Sequence, residues 1–210
     1  MASRSFSRRP PFREPLRRVI IACEGTKTEP DYFDAIRSHY RLTSAQIVIA
    51  EHSGTDPRSI VEAAVKKRRE LTLDKSWRSG DFAWAVFDGD EHIENNRQNW
   101  LEALDMARRK SIGVAVSNPS FELWYLLHYQ DQDARITRQN LLVRLKRHVP
   151  LYEKSLCVFP DPLHPLTQTA IERAKRLTML RVDLEEHSNP CTGVHLLVSD
   201  LLQMADEINR

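Results

Sequence analysis

The feature that most constrains this chain is an alternation of short apolar segments with segments of helical periodicity, repeated four times with short connections. Val19-Ile20-Ile21-Ala22-Cys23 is β-branched and continuous, the pattern of a strand covered on both faces, and a strand is predicted over 18–23. Further strands are predicted over 45–50, 82–87 and 111–117. After the first, Tyr32, Phe33 and Ile36 recur at helical spacing, with Thr28 or Glu29 as the cap and Pro30 in the first turn, where its missing N–H costs nothing. Asp56 and Pro57 open a helix carrying Ile60, Val61, Ala64 and Val65, and helices over 95–110 and 120–129 follow the third and fourth strands. Strands that alternate with helices in this way form a parallel sheet with helices on both faces.

Beyond residue 129 the pattern changes. Residues 131–133 are polar, 141–148 form a basic amphipathic segment, and 151–165 reads as a loop containing Pro160, Pro162 and Pro165. Two helices, over 166–186 and 194–209, close the chain. The expected organisation is a flexible basic arm (1–17), an α/β core (18–129) and a helical cap packed on that core (130–210). Ser117-Asn118-Pro119-Ser120 and Ser188-Asn189-Pro190-Cys191 each precede an apolar helix, and both read as caps with Asn in the cap position and Pro next.

Composition narrows the function classes. A length of 210 residues with 41% hydrophobic content suits one domain with an appendage. The net charge of +2 confines any nucleic-acid affinity to local patches. These are Arg4, Arg8, Arg9, Arg13, Arg17 and Arg18 in the arm, and the runs 66–69, 108–110 and 144–147. Cys23, Cys157 and Cys191 show no CxxC spacing, which argues against a disulfide framework or a cysteine zinc site and for a reducing cytoplasm. No apolar run approaches the ~20 residues that span a bilayer, so no membrane partner is expected. The chain lacks GxxxxGK[ST] and cannot itself be a P-loop ATPase.

In parallel α/β sheets ligands bind beyond the carboxyl ends of the strands. Glu24 follows the first strand and Asp88 the third. Asp88 and Asp90 are two apart, so in extended geometry they point the same way, and Gly89 between them leaves room for close approach. Clustered carboxylates repel and raise one another's pKa. A hard divalent cation removes that penalty, and Mg²⁺ uses a few carboxylates while keeping waters for phosphate oxygens. The plain alternative is that Glu24, Asp88 and Asp90 only cap helices and make turns. Glu122, in the first turn of an almost wholly apolar helix, either complements the helix N-terminus or stands at the ligand edge. Ser117, Asn118 and Ser120 at that edge are candidates to donate to phosphate. Lys27, close after Glu24, is the best single candidate for contacting a scissile phosphate. His92, His128 and His195 are candidates for proton transfer, His92 by its place two residues after Asp90. No HxxxH spacing supports zinc. Trp124 reads as core.

The blocks Cys23-Glu24-Gly25-Thr26-Lys27-Thr28-Glu29-Pro30, Val86-Phe87-Asp88-Gly89-Asp90-Glu91-His92, Ser117-Asn118-Pro119-Ser120-Phe121-Glu122-Leu123-Trp124 and Asn189-Pro190-Cys191-Thr192-Gly193-Val194-His195 resemble those of the RloB-like family. They run in family order from about residue 18 to the last helix. The resemblance implies an α/β fold with a Toprim-like parallel sheet flanked by helices and a C-terminal helical extension. It further implies that Glu24 is the Toprim glutamate and that Asp88 and Asp90 are its DxD pair. Gly89 departs from the larger or charged residue often found between the two aspartates. The implied cofactor is Mg²⁺, with Mn²⁺ as a substitute, and a second metal would draw on Glu29, Glu91 or Glu122. The implied activity is that of a metal-dependent nuclease in a prokaryotic anti-phage defence system, catalysed by Glu24, Asp88, Asp90, Lys27 and His92, with Glu122 a further ligand. Expected partners are nucleic acid (DNA or RNA), an ATPase encoded nearby, and further copies of this chain in a homo-oligomer. The rival expectation is a non-catalytic nucleic-acid-binding or regulatory subunit. A primase-like nucleotidyl transferase ranks third, since the chain is small and lacks a template-binding module.

Overall fold

A computed structural model of the chain describes residues 17–49, 56–154, 156–180 and 187–208. Four parallel strands, β1 (Val19–Cys23), β2 (Ala45–Ile49), β3 (Phe82–Asp88) and β4 (Gly113–Asn118), lie in the order β2-β1-β3-β4. A two-residue strand, β5 (Cys191–Thr192), adds antiparallel to β4. The helices are α1 (Thr28–His39), α2 (Pro57–Leu73), α3 (Asp90–Asn95), α4 (Arg97–Arg109), α5 (Glu122–Tyr129), α6 (Arg138–His148), α7 (Thr167–Met179) and α8 (Val194–Ile208). This is the α/β architecture predicted above: a mostly parallel sheet, helices on both faces and a helical C-terminal extension.

Because side chains alternate along a strand, the sheet has two apolar faces and two cores. Val19, Ile21 and Cys23 of β1, Val86 of β3 and Ala115 of β4 face α1, α5, α6, α7 and α8. Ile20 and Ala22 of β1, Ala83, Ala85 and Phe87 of β3, and Val116 of β4 face α2 and α4. Asp56 caps α2 as expected, its side chain accepting from the Arg58 and Ser59 amides. Trp124 is wholly buried, as its place in an apolar run predicts.

Several local expectations give way to other geometry. Neither Thr28 nor Glu29 caps α1, since Thr28 is its first residue and Lys27 holds the cap position with no side-chain cap bond. The Thr28 hydroxyl donates instead to the Lys154 carbonyl at 2.8 Å. The chain is not extended from Asp88 to Asp90: β3 ends at Asp88, Gly89 turns into the helical region, and Asp90 is the first residue of the short helix α3. The argument that the two aspartates point the same way along a strand therefore does not hold. Asn118 and Asn189 do not cap helices either. Each precedes a cis proline. Asn118 ends β4 and donates to the His187 carbonyl at 2.9 Å. Asn189 exchanges two hydrogen bonds with the backbone of Ile136, at 3.0 and 2.9 Å. Their amides tie neighbouring segments together, and α5 starts later, at Glu122. The expected arm lies outside the described residues except for Arg17, which pairs with Glu207 of α8 at 2.9 Å. Helix α7 ends at Met179, and residues 181–186 of the longer predicted helix lie outside the described residues.

Candidate functional site

The chain leaves β1 to one side to build β2 and returns to build β3 on the other side of β1. A crevice opens at such a reversal, above the carboxyl ends of the two central strands. Glu24 stands there directly after β1, its own amide still bonded to the Val86 carbonyl at 3.0 Å. One of its carboxylate oxygens accepts the Asp88 amide at 2.9 Å, and the other lies 3.1 Å from Nε2 of His92. Asp88 ends β3. Its Oδ1 accepts the Phe121 amide at 2.9 Å, and its Oδ2 lies 3.3 Å from the guanidinium of Arg138. Both carboxylates are partly open to solvent, at 17% and 15% exposure.

Two further carboxylates sit deeper. Glu29, in the first turn of α1, is 6% exposed, and Glu122, the first residue of α5, is 3% exposed. Each lies where a helix N-terminus favours negative charge. Glu122 is held on both oxygens, by the Ser120 hydroxyl at 2.5 Å and the Tyr152 hydroxyl at 3.2 Å. Glu29 folds back over Gly25, and a Cβ at that position would fall 2.0 Å from Glu29 Oε2. A side chain at 25 would therefore push the Glu29 carboxylate aside.

These carboxylates, Glu24, Glu29, Asp88 and Glu122, line one open pocket of about 400 Å³. Lys27, Arg138 and Lys154 line it too. Burial acts first on these carboxyls, and their mutual repulsion second. Burial, and then the carboxylates of Glu24 and Glu122, push the Glu29 carboxyl up to about 7, with Lys154 opposing. Burial and the charge of Glu29 push Asp88 well above the usual carboxylate range, with Glu24 and Glu122 adding and Arg138 opposing. An all-oxygen set of crowded carboxylates fits a hard divalent cation. Among the described residues no three His, Cys, Asp or Glu side chains are already drawn together as a metal site. The oxygens of Glu24 and Asp88 are instead turned toward N–H donors. The side chains of Asp90 and Glu91 lie outside the described residues.

The structure thus brings together Glu24, Lys27, Glu29, Asp88, His92 and Glu122 of the residues singled out in the sequence. It does not bring His128 or His195 to them. His128 is buried with Nδ1 against the Trp124 carbonyl, and burial lowers its pKa to about 4. His195 is buried with Nδ1 against the Thr192 carbonyl. Ser117 is paired with the Thr192 hydroxyl at 2.9 Å, so it and Asn118 serve internal bonds. Arg138, Tyr152 and Lys154 are site residues that sequence reasoning missed. They come from the segment after α5, which carries no motif.

The family model described as RloB-like protein matches residues 19–201. The chain belongs to the RloB-like family. The match runs from β1 into α8, so in this RloB-like protein it takes in every element that lines the pocket, including the segment with Arg138, Tyr152 and Lys154. No curated protein and no solved structure matches the chain. Among the described residues no helix is long and apolar enough to cross a membrane.

Proposed function

We propose that this chain is a Mg²⁺-dependent phosphodiesterase, the nuclease of a restriction-associated anti-phage system in the cytoplasm, working with an ATPase partner. The observation that carries this reading is the convergence of Glu24, Glu29, Asp88 and Glu122 on one open pocket whose remaining charged lining, Lys27, Arg138 and Lys154, is cationic. Carboxylates alone would repel a phosphodiester, and cations alone would bind it without activating it. Membership of the RloB-like family supports the restriction-locus setting, and the resemblance of the motif blocks supports the Toprim-type chemistry.

Glu24 and Asp88, with Asp90 beside them in sequence, would hold the metal, and Glu122 and Glu29 would complete the oxygen set. Bound there, Mg²⁺ or Mn²⁺ supplies Lewis-acid polarisation of the phosphodiester and stabilises the leaving oxygen. Lys27 and Lys154 draw the phosphate into the pocket against the repulsion of the carboxylates. His92, bonded to Glu24, fixes that carboxylate and stands where a proton can be passed to a leaving or attacking oxygen. The Asp88 amide and the Phe121 amide fix the strand-end carboxylates from the backbone, which costs no reorganisation during reaction.

The decisive experiment compares cleavage of labelled DNA and RNA by wild type and Asp88→Ala, in Mg²⁺ or Mn²⁺, with and without the neighbouring ATPase. Metal-dependent cleavage that falls at least about 100-fold in the variant is expected. Equal phage protection by both forms would end the catalytic reading and favour a binding or regulatory subunit.

A further inference from the structure

We propose that the groove between α2 and α4 is a second nucleic-acid site, which holds the phosphate backbone of a duplex away from the carboxylate pocket. The proposal rests on the reading of this chain as a protein that acts on nucleic acid, but not on a bound metal.

Helices α2 and α4 run side by side in the same direction. Asp56, the cap of α2, meets Asn99 in the first turn of α4, Arg58 meets Glu102, and Arg68 donates to the Lys110 carbonyl at the far end. Each helix carries the chain from one parallel strand toward the next, so both run from the carboxyl edge of the sheet to its amino edge. A groove of about 470 Å³ opens between them, lined by Lys66, Arg69, Arg109 and Lys110 over the half-buried Val65 and Met106. At 1.5 Å per residue, Arg69 stands about 20 Å along α2 from the cap at the carboxyl edge. The groove is therefore a separate place from the pocket of Glu24 and Asp88.

This face differs from an ordinary solvated one in its pairing. Elsewhere on the surface Arg17 pairs with Glu207, Arg37 with Asp34, and Arg176 with Asp131. Arg69, Arg108 and Lys110 are exposed, and their side chains form no ion pair or hydrogen bond with any described residue. Lys66 and Arg109 are each engaged within the chain. Glu62, the one carboxylate among the described residues lining the groove, is taken by Arg58 at 3.0 Å. The bond from Arg68 to Lys110 clamps two basic runs together that lie 42 positions apart. Such a cluster of like charges attracts a polyanion and gains by its arrival. A duplex supplies one charge per roughly 1.7 Å of its axis. No described residue lining the groove is aromatic, so it offers no platform for stacking bases and suits backbone contact. A polymer that enters the pocket as a phosphodiester carries further phosphates beyond it. A reach of about 20 Å is less than the roughly 34 Å of one duplex turn.

The test uses the full chain with divalent metal chelated and a fluorescent duplex of about two helical turns, made once in DNA and once in RNA. Wild type is compared with Arg69→Gln/Lys110→Gln and with a control, Arg37→Gln/Arg176→Gln, that removes the same charge elsewhere. Binding is read by anisotropy across a range of salt concentrations, and folding by thermal melting. On either duplex the groove variant should bind about tenfold more weakly, and its slope of log affinity against log salt should be shallower by about 2. The control should bind as wild type does. Hydrolysis of bis(p-nitrophenyl) phosphate in Mn²⁺, a substrate too small to reach the groove, should be the same in wild type and the groove variant. Duplex binding unchanged in the groove variant would overturn the site, and so would an equal loss in the control, which would reduce the effect to net charge. Polyglutamate bound by wild type and lost in the groove variant, with the duplex unaffected, would give the groove to an acidic protein instead. Groove-dependent duplex binding without any Mn²⁺-dependent hydrolysis would sink the nuclease reading and leave the second site standing.

Discussion

On one face of the sheet, α2 and α4 meet the strands through small side chains, Ala22, Ala64, Ala83, Ala85, Ala103 and Ala107, closed by Phe87 and Trp100 edge to face. On the other face the rings of Tyr32, Phe33, Phe121 and Tyr125 interlock edge to face, and Tyr152 packs on Tyr125. Ile20, Ile60, Val61 and Val116 complete the first layer's apolar cluster. The second carries buried hydroxyls: Tyr32 accepts the Trp124 indole N–H at 2.7 Å, and Tyr152 donates to Glu122 at 3.2 Å. Aromatic residues with a polar tip can bury area and still present a hydrogen bond at one end. The pocket sits where that aromatic layer reaches the carboxyl edge of the strands. One face therefore holds the sheet together, and the other also holds the site.

Substitutions should separate the two roles, and the largest effect is expected at Asp88. Asp88→Asn keeps an acceptor for the Phe121 amide but removes a charge buried against Glu29, Glu24 and Glu122. Cleavage should fall by about 10²–10³-fold, while thermal stability without metal stays level or rises. Ala103→Leu in the α2/α4 layer should do the reverse. Overpacking there should cost about 1–3 kcal/mol, read by denaturant melts, with cleavage per folded molecule unchanged. Equal loss of activity in both, at matched stability, would erase the distinction between the faces.

The crowded carboxylates also make the two faces respond differently to pH. Glu29 titrates near 4.5 as an ordinary carboxyl and at about 7 in the fold. Below the lower value it is protonated in both states and has no effect. As pH rises from there to about 7 the unfolded chain loses the proton first, so folding stability falls, and it levels off above. The full drop is about 3 kcal/mol at most. Melting of the metal-free protein across this range should show the decline, Mg²⁺ should oppose it, and Glu29→Gln should make it shallower, with Asp88, raised in the same direction, supplying the rest. A decline as steep in Glu29→Gln as in wild type would remove Glu29 as a source.

How much of this was legible in the sequence follows the same division. The strand-end carboxylates could be read because both signals are local: an apolar run that stops at Glu24, and another that stops at Asp88. The parallel sheet followed from the same runs. His92 was legible only as a neighbour of the aspartates, and its partner proved to be Glu24, 68 positions away. Arg138, Tyr152 and Lys154 carry no local signature, since a basic residue at a helix start and a tyrosine in a loop have many uses. Only the packing of α6 and the loop after it against α1 and α5 gives them their place, and that packing depends on aromatic contacts between distant segments. The two Asn-Pro pairs misled for a related reason. Their local pattern is that of a cap, but Ile136 and His187 offered those amides better-placed partners from elsewhere in the chain.

The smallest effect, and the finest test of the aromatic face, is at Tyr152. Burial, and then the charge of Glu122, raise its hydroxyl above the usual tyrosine range, so it remains a donor to Glu122 at any working pH. Tyr152→Phe keeps the ring on Tyr125 and removes the hydroxyl, which donates to Glu122 and also bonds the Thr28 side chain, while Glu122 keeps its bond from Ser120. The loss of one hydrogen bond to a carboxylate should cost about 1–2 kcal/mol. If the hydroxyl is there to aim Glu122, Mn²⁺ affinity should fall a few-fold in the same variant, and adding Tyr152→Phe to Glu122→Gln should lower that affinity little further. A double-mutant cycle reads this directly, because two residues acting through one bond are not additive. Additive losses would mean that Tyr152 only packs, and the aromatic face would then differ from the alanine face in bulk but not in its service to the site.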